Sequence, residues 1–263
     1  MATAGLIVIG DEILSGKVVD TNTPFLIGEL RELGTRLCEI AVIADQRAGI
    51  AETVARFATR YDAVFTSGGV GPTHDDVTIA GVAQAFGVGV ARHPELAALL
   101  TNYYRSLPRK ATTGAAEAEA QAAAHEELLA RNLRMADVPE GTTLLAGADL
   151  KWPVLCVRNV YILPGIPEIF RMKIAVLEQA LPRGVAFVSH AVYTRLEESD
   201  IKPLLDAVVA GFPDVAVGSY PKWTTELGYR TKLTFDGRDS SRAIAARDAF
   251  AASLPAPEPV RVD

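Results

Sequence analysis

The chain has 263 residues, of which 49% are hydrophobic, and its 26 basic and 32 acidic residues give a net charge of -6. This length and composition suffice for one large hydrophobic core, or for a medium domain and a small one. The basic footprint of proteins that bind nucleic acid or membrane surfaces is missing, so we expect neither as a partner. The two cysteines, Cys38 and Cys156, lie in apolar runs and are predicted to be buried thiols outside any disulfide framework.

The amino terminus predicts a strand and not a targeting sequence. Its residues MATAGLIVIGDE have no basic region, and their apolar run ends in acidic residues. No apolar run elsewhere approaches the roughly 20 residues that a membrane-spanning helix requires. We therefore expect a cytoplasmic protein.

Predicted strands and helices alternate along the first part of the chain. Short apolar runs at 5–10, 37–44 and 62–69 predict buried strands. Segments 23–34 and 47–61 carry apolar residues at helical spacing and predict helices between the strands. This alternation favours a mostly parallel sheet with helices on both faces, which is a three-layer α/β/α sandwich.

Helical and extended segments continue to alternate farther along. Residues 76–87 and 93–107 predict helices, and an alanine- and glutamate-rich segment at 114–132 predicts a helix at the solvent edge. Residues 157–163 predict one strand, which leads through a Pro-Gly turn into a helix. That helix closes the first predicted domain near residue 182.

The remaining residues predict a second, smaller domain. Their strand–helix–strand–strand–helix order is typical of a two-layer α+β domain. We therefore predict a first domain at residues 1–182, a small α+β domain at 183–255 and a tail at 256–263.

The segment TSGGVGPTHDDVT, residues 66–78, lies between the third predicted strand and a helix. Its three glycines allow the backbone to approach a ligand and to adopt positive φ angles. Their amides and the start of the helix suit an anion such as phosphate, although the loop is neither a P-loop nor a dinucleotide fingerprint. The candidate ligand-binding residues of this glycine loop are Thr66, Ser67, Gly68, Gly69, Gly71, Pro72, Thr73, Asp75 and Thr78.

Two adjacent aspartates, Asp75 and Asp76, end the glycine loop. One of them could simply cap the following helix. Two carboxylates beside a phosphate would repel it unless a divalent cation intervenes, or unless one carboxylate accepts hydrogen bonds from a heterocycle. We favour a functional role over capping alone.

A second polar segment, GDEILSGKVVDTN, follows the first strand and contains Asp11, Glu12, Ser15 and Gly16. It reads either as a loop whose acids face solvent or as part of the site, because ligands of parallel sheets bind at the carboxyl ends of strands. Acids gathered there would favour a bound cation. Asp45, at the end of the second strand, is expected at the rim of the same cleft.

A third segment, LPGIPE at 163–168, also ends a strand and contains Pro164 and Gly165. It is a candidate wall of the ligand site. By itself it reads equally well as a proline-shaped turn before a helix.

These three segments, in this order, resemble the motifs of the molybdopterin-binding domain. The similarity is strongest to the form found in competence/damage-inducible protein A and in the N-terminal part of some eukaryotic FAD synthases. It implies an α/β/α sandwich in which Gly68, Gly69 and Gly71 face the phosphate of a pterin. It also implies that Asp76 lies near the reacting phosphate with Mg²⁺, and Asp45 is a looser match to a second functional acid.

The resemblance leaves three functions open. The first is binding or transfer of molybdopterin in molybdenum cofactor biosynthesis, and the second is a pyrophosphatase acting on ADP-ribose or FAD with Mg²⁺ or Co²⁺. The third is an interaction module without catalysis. Relatives self-associate, so a homo-oligomer is expected. The predicted catalytic residues are Asp76 and Asp45, and the predicted metal ligands are Asp11, Glu12 and Asp76.

Overall fold

The computed structural model divides the chain into two compact units, Met1–Arg183 and Gly184–Asp263. None of the helices in the described part of the chain is long and apolar enough to cross a membrane. The structure describes residues 2–73, 76–107, 115–146, 152–224 and 228–263.

The first unit contains a six-stranded, mostly parallel sheet. The strands of the first unit are β1 (Thr3–Ile9), β2 (Arg36–Ile43), β3 (Ala63–Ser67), β4 (Val90–Arg92), β5 (Asp137–Pro139), β6 (Thr143–Leu145), β7 (Val154–Val157) and β8 (Val160–Ile162). The sheet order is β2–β1–β3–β8–β7–β6, and β4 pairs separately with β5. Strands β2, β1, β3 and β8 are parallel neighbours, whereas β7 and β6 add antiparallel pairs at one edge.

Helices cover both faces of this sheet. The helices of the first unit are α1 (Asp11–Leu14), α2 (Asn22–Glu32), α3 (Arg47–Arg60), α4 (Thr78–Phe86), α5 (Pro94–Ser106), α6 (Ala115–Asn132) and α7 (Pro167–Ala180). Helices α2 and α7 share one hydrophobic cluster with the sheet, and α3 and α4 share another on the opposite face. The predicted three-layer α/β/α sandwich is therefore confirmed.

Strand β1 shows why the central strands are apolar throughout. Leu6 and Val8 pack in the cluster of α2 and α7, whereas Ile7 and Ile9 pack in that of α3 and α4. Because successive side chains point to opposite faces, a strand covered on both sides needs apolar residues at every position.

A smaller hydrophobic cluster lies where α5 meets the strand pair β4–β5. Leu96 and Leu100 of α5 are buried against Ala136 and Val138, and Trp152 packs beside them. A 3₁₀ turn, Leu133–Ala136, connects α6 to β5. This cluster forms one flank of the candidate site.

The prediction of a single strand at 157–163 is wrong. Strands β7 and β8 form an antiparallel hairpin in which Val157 pairs with Val160. Its turn is Arg158–Asn159, and Arg158 has a positive φ of 54°. These two polar residues interrupt the apolar run at the place where the chain reverses.

The prediction for Cys38 is also wrong, because this cysteine is exposed. It lies on β2, an edge strand whose residues alternate between exposed and half-buried. Cys156 is buried as predicted, and its burial raises the pKa of the thiol. Neither cysteine forms a disulfide.

The second unit is a small α+β domain, as predicted. Its elements are β9 (Val188–Thr194), α8 (Glu198–Gly211), β10 (Ala216–Pro221), β11 (Thr231–Gly237), α9 (Ser240–Ser253) and β12 (Arg261–Val262). Helices α8 and α9 pack on one face of a four-stranded antiparallel sheet of order β10–β11–β9–β12, around Ile201, Phe235 and Phe250.

The predicted tail at 256–263 needs correction, because it contains β12. This strand pairs with β9, and the amide of Val260 donates to the carbonyl oxygen of Tyr193 at 2.9 Å. Glu258 accepts from the guanidinium of Arg195 at 2.8 Å. The unpaired edge of β9 offered hydrogen-bond partners that no local sequence pattern reveals.

The β7–β8 turn also anchors α3. The side-chain amide of Asn159 donates to the carbonyl oxygens of Ala58 and Tyr61, at 2.9 and 2.8 Å. We expect Asn159→Ala to lower the free energy of unfolding by about 1–3 kcal/mol, because the carbonyls at the end of α3 lose their donor. Urea denaturation checks this, with the exposed Asn102→Ala on α5 as control. Equal stability of the two variants would contradict the anchoring role.

Candidate functional site

A cavity of about 680 Å³ opens beside the carboxyl ends of β3 and β8. One part of its wall is formed by the glycine loop and by the Pro-Gly turn after β8, so we call this part the glycine end. The glycine end consists of Gly68, Gly69, Val70, Gly71, Pro72, Thr73, Asp76, Pro164 and Gly165. These residues come from two of the three segments that the sequence singles out.

Gly68 fixes the course of the glycine loop. Its φ is +113°, and a Cβ atom there would lie 2.0 Å from the carbonyl oxygen of Ile9. Its amide donates to the carbonyl oxygen of Leu163 at 3.2 Å. Its Cα also lies 3.4 Å from where a Cβ of Gly165 would be. The ends of β1, β3 and β8 therefore meet at a position that only glycine fits.

Thr78, the first residue of α4, holds the glycine loop from behind. Its hydroxyl donates to the carbonyl oxygen of Gly68, and its amide donates to that of Gly69, each at 3.0 Å. Gly69 has a φ of +63°, and a Cβ there would lie 2.4 Å from the Thr78 hydroxyl. Thr78 is fully buried and does not line the cavity.

The hydroxyls of Thr66 and Ser67 are likewise engaged within the fold. Thr66 Oγ1 accepts from the amide of Leu163 at 3.3 Å, and Ser67 Oγ accepts from Asn22 Nδ2 at 3.0 Å. Both residues are buried, and neither lines the cavity. The structure thus places these two predicted ligand-binding residues beneath the loop.

Asn22, which starts α2, connects that helix to the loops at the sheet edge. Its Nδ2 also donates to the carbonyl oxygen of Gly165 at 2.8 Å, so one amide group joins β3 to the turn after β8. Asp20 holds the helix start by accepting from the amides of Asn22 and Thr23. The sequence signals only the helix-start role of Asn22.

Asp76 orders the glycine loop rather than capping α4. Its Oδ2 accepts from the amide of Thr73 at 2.8 Å and also from the Thr73 hydroxyl. Helix α4 begins without a side-chain cap. Asp76 and Thr73 both line the cavity, and Asp75 lies outside the described residues.

The acids after β1 and β2 are only partly brought together. Asp45 is half-buried, and its Oδ2 accepts from the amide of Asp11 at 2.8 Å, which places it behind the glycine loop. Glu12 lines the cavity, whereas Asp11 and Asp45 do not. Ser15 and Gly16, exposed after α1, also lie outside the cavity wall.

Glu12 and Asp76 are therefore the predicted acids that reach the cavity. Within the described ranges, no group of three or more His, Cys, Asp or Glu side chains is arranged to hold a metal ion. Carboxylate oxygens are nevertheless the donors that Mg²⁺ prefers, and Mg²⁺ commonly takes only one or two from the protein. Glu12 and Asp76 fit that donor set.

The wall farther from the glycine loop is largely apolar, and we call it the apolar end. It includes Trp152, whose indole packs edge-on against Tyr103. Asp137 on this wall is paired with the guanidinium of Arg92, and Arg134 is exposed beside it. The main apolar residues of this end are Leu96, Leu100, Met135, Trp152, Pro153 and Leu155.

Lys173 is a buried cation on the same wall, and the sequence reasoning missed it. Only 8% of the residue is exposed, and its Nζ donates to the carbonyl oxygens of Trp152 and Pro153. No described carboxylate lies within ion-pair distance of it. Burial lowers the pKa of the ammonium group to about 8. A lysine at the helical spacing of the apolar face of α7 was the available signal.

The fold and the cavity define the class of this molecule: an α/β/α sandwich with a ligand-sized cavity at the carboxyl edge of its parallel strands. The chain belongs to the molybdopterin-binding domain family, because residues 5–183 match the model described as "Probable molybdopterin binding domain". Residues 186–263 match a second model, "FAD synthase, middle domain".

Two relatives in sequence match 94% and 70% of the chain. A "Probable FAD synthase" of Caenorhabditis briggsae is 34% identical over 94% of this chain and 49% of the relative. A "CinA-like protein" of Mycobacterium sp. (strain JLS) is 35% identical over 70% of this chain and 43% of the relative. The chain thus spans about half the length of the FAD synthase relatives that it matches.

A solved structure shows the same fold. The protein CinA from Thermoplasma acidophilum, described as having unknown function, is 26% identical, with a TM-score of 0.55. The match covers 68% of this chain and 97% of that one. The predicted similarity to competence/damage-inducible protein A and to FAD synthases is confirmed.

Substitution of Gly68 tests the close approach of the strand ends. We expect Gly68→Ala to lower the free energy of unfolding by more than about 2 kcal/mol, because the new methyl would overlap the Ile9 carbonyl at a φ that alanine avoids. Gly28→Ala in α2 is the control, since nothing lies within 4 Å of the added Cβ and alanine favours helix. Denaturation curves that coincide for the two variants would refute the constraint.

The stability of the protein should depend on the charge of Lys173. Its pKa is lowered from 10.5 to about 8, so between these values the unfolded chain binds more protons than the folded one. Stability attributable to Lys173 therefore rises with pH across this window, by at most about 3 kcal/mol. Urea denaturation at pH 7.5 and pH 10 should show this gain in the wild type and not in Lys173→Met. Parallel changes in both proteins would contradict the assignment.

Proposed function

We propose that the first unit binds a phosphorylated pterin or nucleotide, with a phosphate at the glycine end and the heterocycle against the apolar end. The observation that carries this proposal is that the glycine end and the apolar end line the same cavity of about 680 Å³. This volume is within the range of small-molecule sites.

The glycine end offers backbone donors to the phosphate. Gly69, Val70 and Gly71 line the cavity, and none of their amides donates a hydrogen bond to another described residue. Amides in a glycine-rich turn before a helix form an anion-binding concavity. The amide of Gly68 is already used by Leu163, so it contributes to the position of the loop rather than to the ligand.

We further propose that Glu12 and Asp76 hold a divalent cation, Mg²⁺ or Co²⁺, between themselves and the phosphate. Such a cation would offset the repulsion between carboxylates and phosphate, and it would activate water. Asp45 would act indirectly, because its contact with the Asp11 amide positions the segment that carries Glu12. Self-association of the chain stays a prediction from the family resemblance.

Two activities are compatible with such a site. One is binding or transfer of molybdopterin, which the family description supports. The other is hydrolysis of FAD or ADP-ribose, in which water attacks one phosphorus atom and the diphosphate P–O bond breaks. This would give AMP with FMN or with ribose 5-phosphate. The relatives described as "Probable FAD synthase" and the FAD synthase match of the second unit favour a flavin nucleotide as the hydrolysed ligand.

A turnover assay separates these activities. The purified chain would be incubated with Mg²⁺ or Co²⁺ and with FAD, ADP-ribose or NAD, and released AMP would be measured by chromatography. We expect AMP release to fall at least ~100-fold in Asp76→Asn, because the amide weakens both cation binding and loop order. The control is Asp206→Asn, since Asp206 is an exposed residue of α8.

The outcomes are distinct. AMP formed in step with FMN, and lost in Asp76→Asn alone, supports the pyrophosphatase. No release from any substrate, with calorimetric binding of FAD, FMN or ADP-ribose retained, leaves a binding or transfer role. Absence of both turnover and binding would contradict the proposed nucleotide site.

A further inference from the structure

Lys173 lies well away from the glycine end along α7. The turn at Gly165 packs on Gly68, and α7 begins two residues later at Pro167. Lys173 is the sixth residue after Pro167, so its backbone lies about 9 Å farther along the helix axis at 1.5 Å per residue. Its Nζ is held by the carbonyl oxygens of Trp152 and Pro153 at the apolar end, so the heterocycle of a ligand whose phosphate occupies the glycine end is the part that lies beside Lys173.

The surroundings of Lys173 suit a flat ring. Its Nζ binds the carbonyl oxygens of Trp152 and Pro153, and both of these residues line the cavity. Trp152 packs in the cluster that contains Leu96 and Leu100, which also line the cavity. Walls of this composition bind planar, apolar groups of a ligand, and a few polar groups of the protein fix the orientation of the ligand.

Burial of the ammonium group without a carboxylate is costly, and the described residues compensate it with two carbonyl acceptors only. An ammonium group has three N–H donors and no acceptor. One donor thus remains without a described partner, at a place where the cavity wall is apolar. A ligand atom that accepts a hydrogen bond would complete the coordination of this nitrogen, whereas an amino group would meet donor with donor.

We propose that Lys173 selects the heterocycle: it donates a hydrogen bond to a ring carbonyl oxygen, so the site prefers oxo-heterocycles to rings that present an amino group. The oxo-heterocycles include 4-oxopterins, the isoalloxazine of flavins and 6-oxopurines. This inference rests on the proposed function, because it assumes that the phosphate occupies the glycine end. It narrows the ligands proposed for that site to those whose ring carries an oxo group.

Two nucleotides that differ at one ring position test the inference. Inosine 5′-monophosphate carries a 6-oxo group where adenosine 5′-monophosphate carries a 6-amino group, and their ribose and phosphate are the same. Both would be titrated into the full chain with Mg²⁺ and followed by calorimetry. We expect the 6-oxo nucleotide to bind at least roughly tenfold more tightly, as a buried charge-assisted hydrogen bond implies.

Lys173→Met and Arg171→Met form a matched pair, because each removes one positive charge from α7. Arg171 is exposed and does not line the cavity. We expect Lys173→Met to bind the 6-oxo nucleotide as weakly as the 6-amino one, and Arg171→Met to keep the wild-type preference. A preference that survives in Lys173→Met would overturn the inference and leave Lys173 as an anchor for Trp152 and Pro153.

The wild-type titrations decide the matter even where Lys173→Met does not fold. Equal affinity for both nucleotides, or tighter binding of the 6-amino nucleotide, overturns the role of Lys173 while the phosphate site stands. Absence of binding for both nucleotides overturns the proposed nucleotide site, and the inference fails with it.

Discussion

The contact between Gly68 and the carbonyl oxygen of Ile9 is the constraint on which the site depends. Because a side chain at Gly68 would lie 2.0 Å from that oxygen, the ends of β1 and β3 can approach closely only at a glycine. The same residue binds Leu163 after β8 and accepts from Thr78 of α4. The position of the glycine loop is thus set by the packing of backbone on backbone, and a ligand need not supply the free energy to order it.

The cavity separates its charges. Glu12 and Asp76 lie at or near the glycine end, whereas Lys173 is buried at the apolar end with only carbonyl partners. An attraction between these groups would be strong in an interior of low dielectric constant, yet Lys173 Nζ binds only carbonyl oxygens among the described residues. The acidic groups at one end and the cation at the other are a reason for a ligand with two different poles, such as a phosphate joined to a polar ring.

The sequence predicts the parts of this arrangement that depend on local chemistry. Continuous apolar runs identify β1 and β3, because both of their faces are covered, and glycine at position 68 marks a close approach. The β7–β8 hairpin is missed although its signal is local, because two polar residues are a weak mark of a reversal inside an apolar run. Strand β12 escapes prediction because its partner β9 lies far along the chain. Lys173 escapes for a similar reason: its role depends on Trp152 and Pro153, which only the fold brings to it.

Asp76, at the end of the glycine loop, shows how one residue can serve structure and chemistry together. Both donors of Thr73 go to the same oxygen of Asp76, Oδ2, and Oδ1 receives no hydrogen bond from another described residue. Thr73 therefore fixes the orientation of the Asp76 carboxylate, while one oxygen stays available to the proposed cation. A carboxylate that caps a helix could not divide its two oxygens in this way, because it is directed at the helix amides. Helix α4 begins without a side-chain cap, so the carboxylate of Asp76 is free of that task and can take the role proposed for it at the cavity.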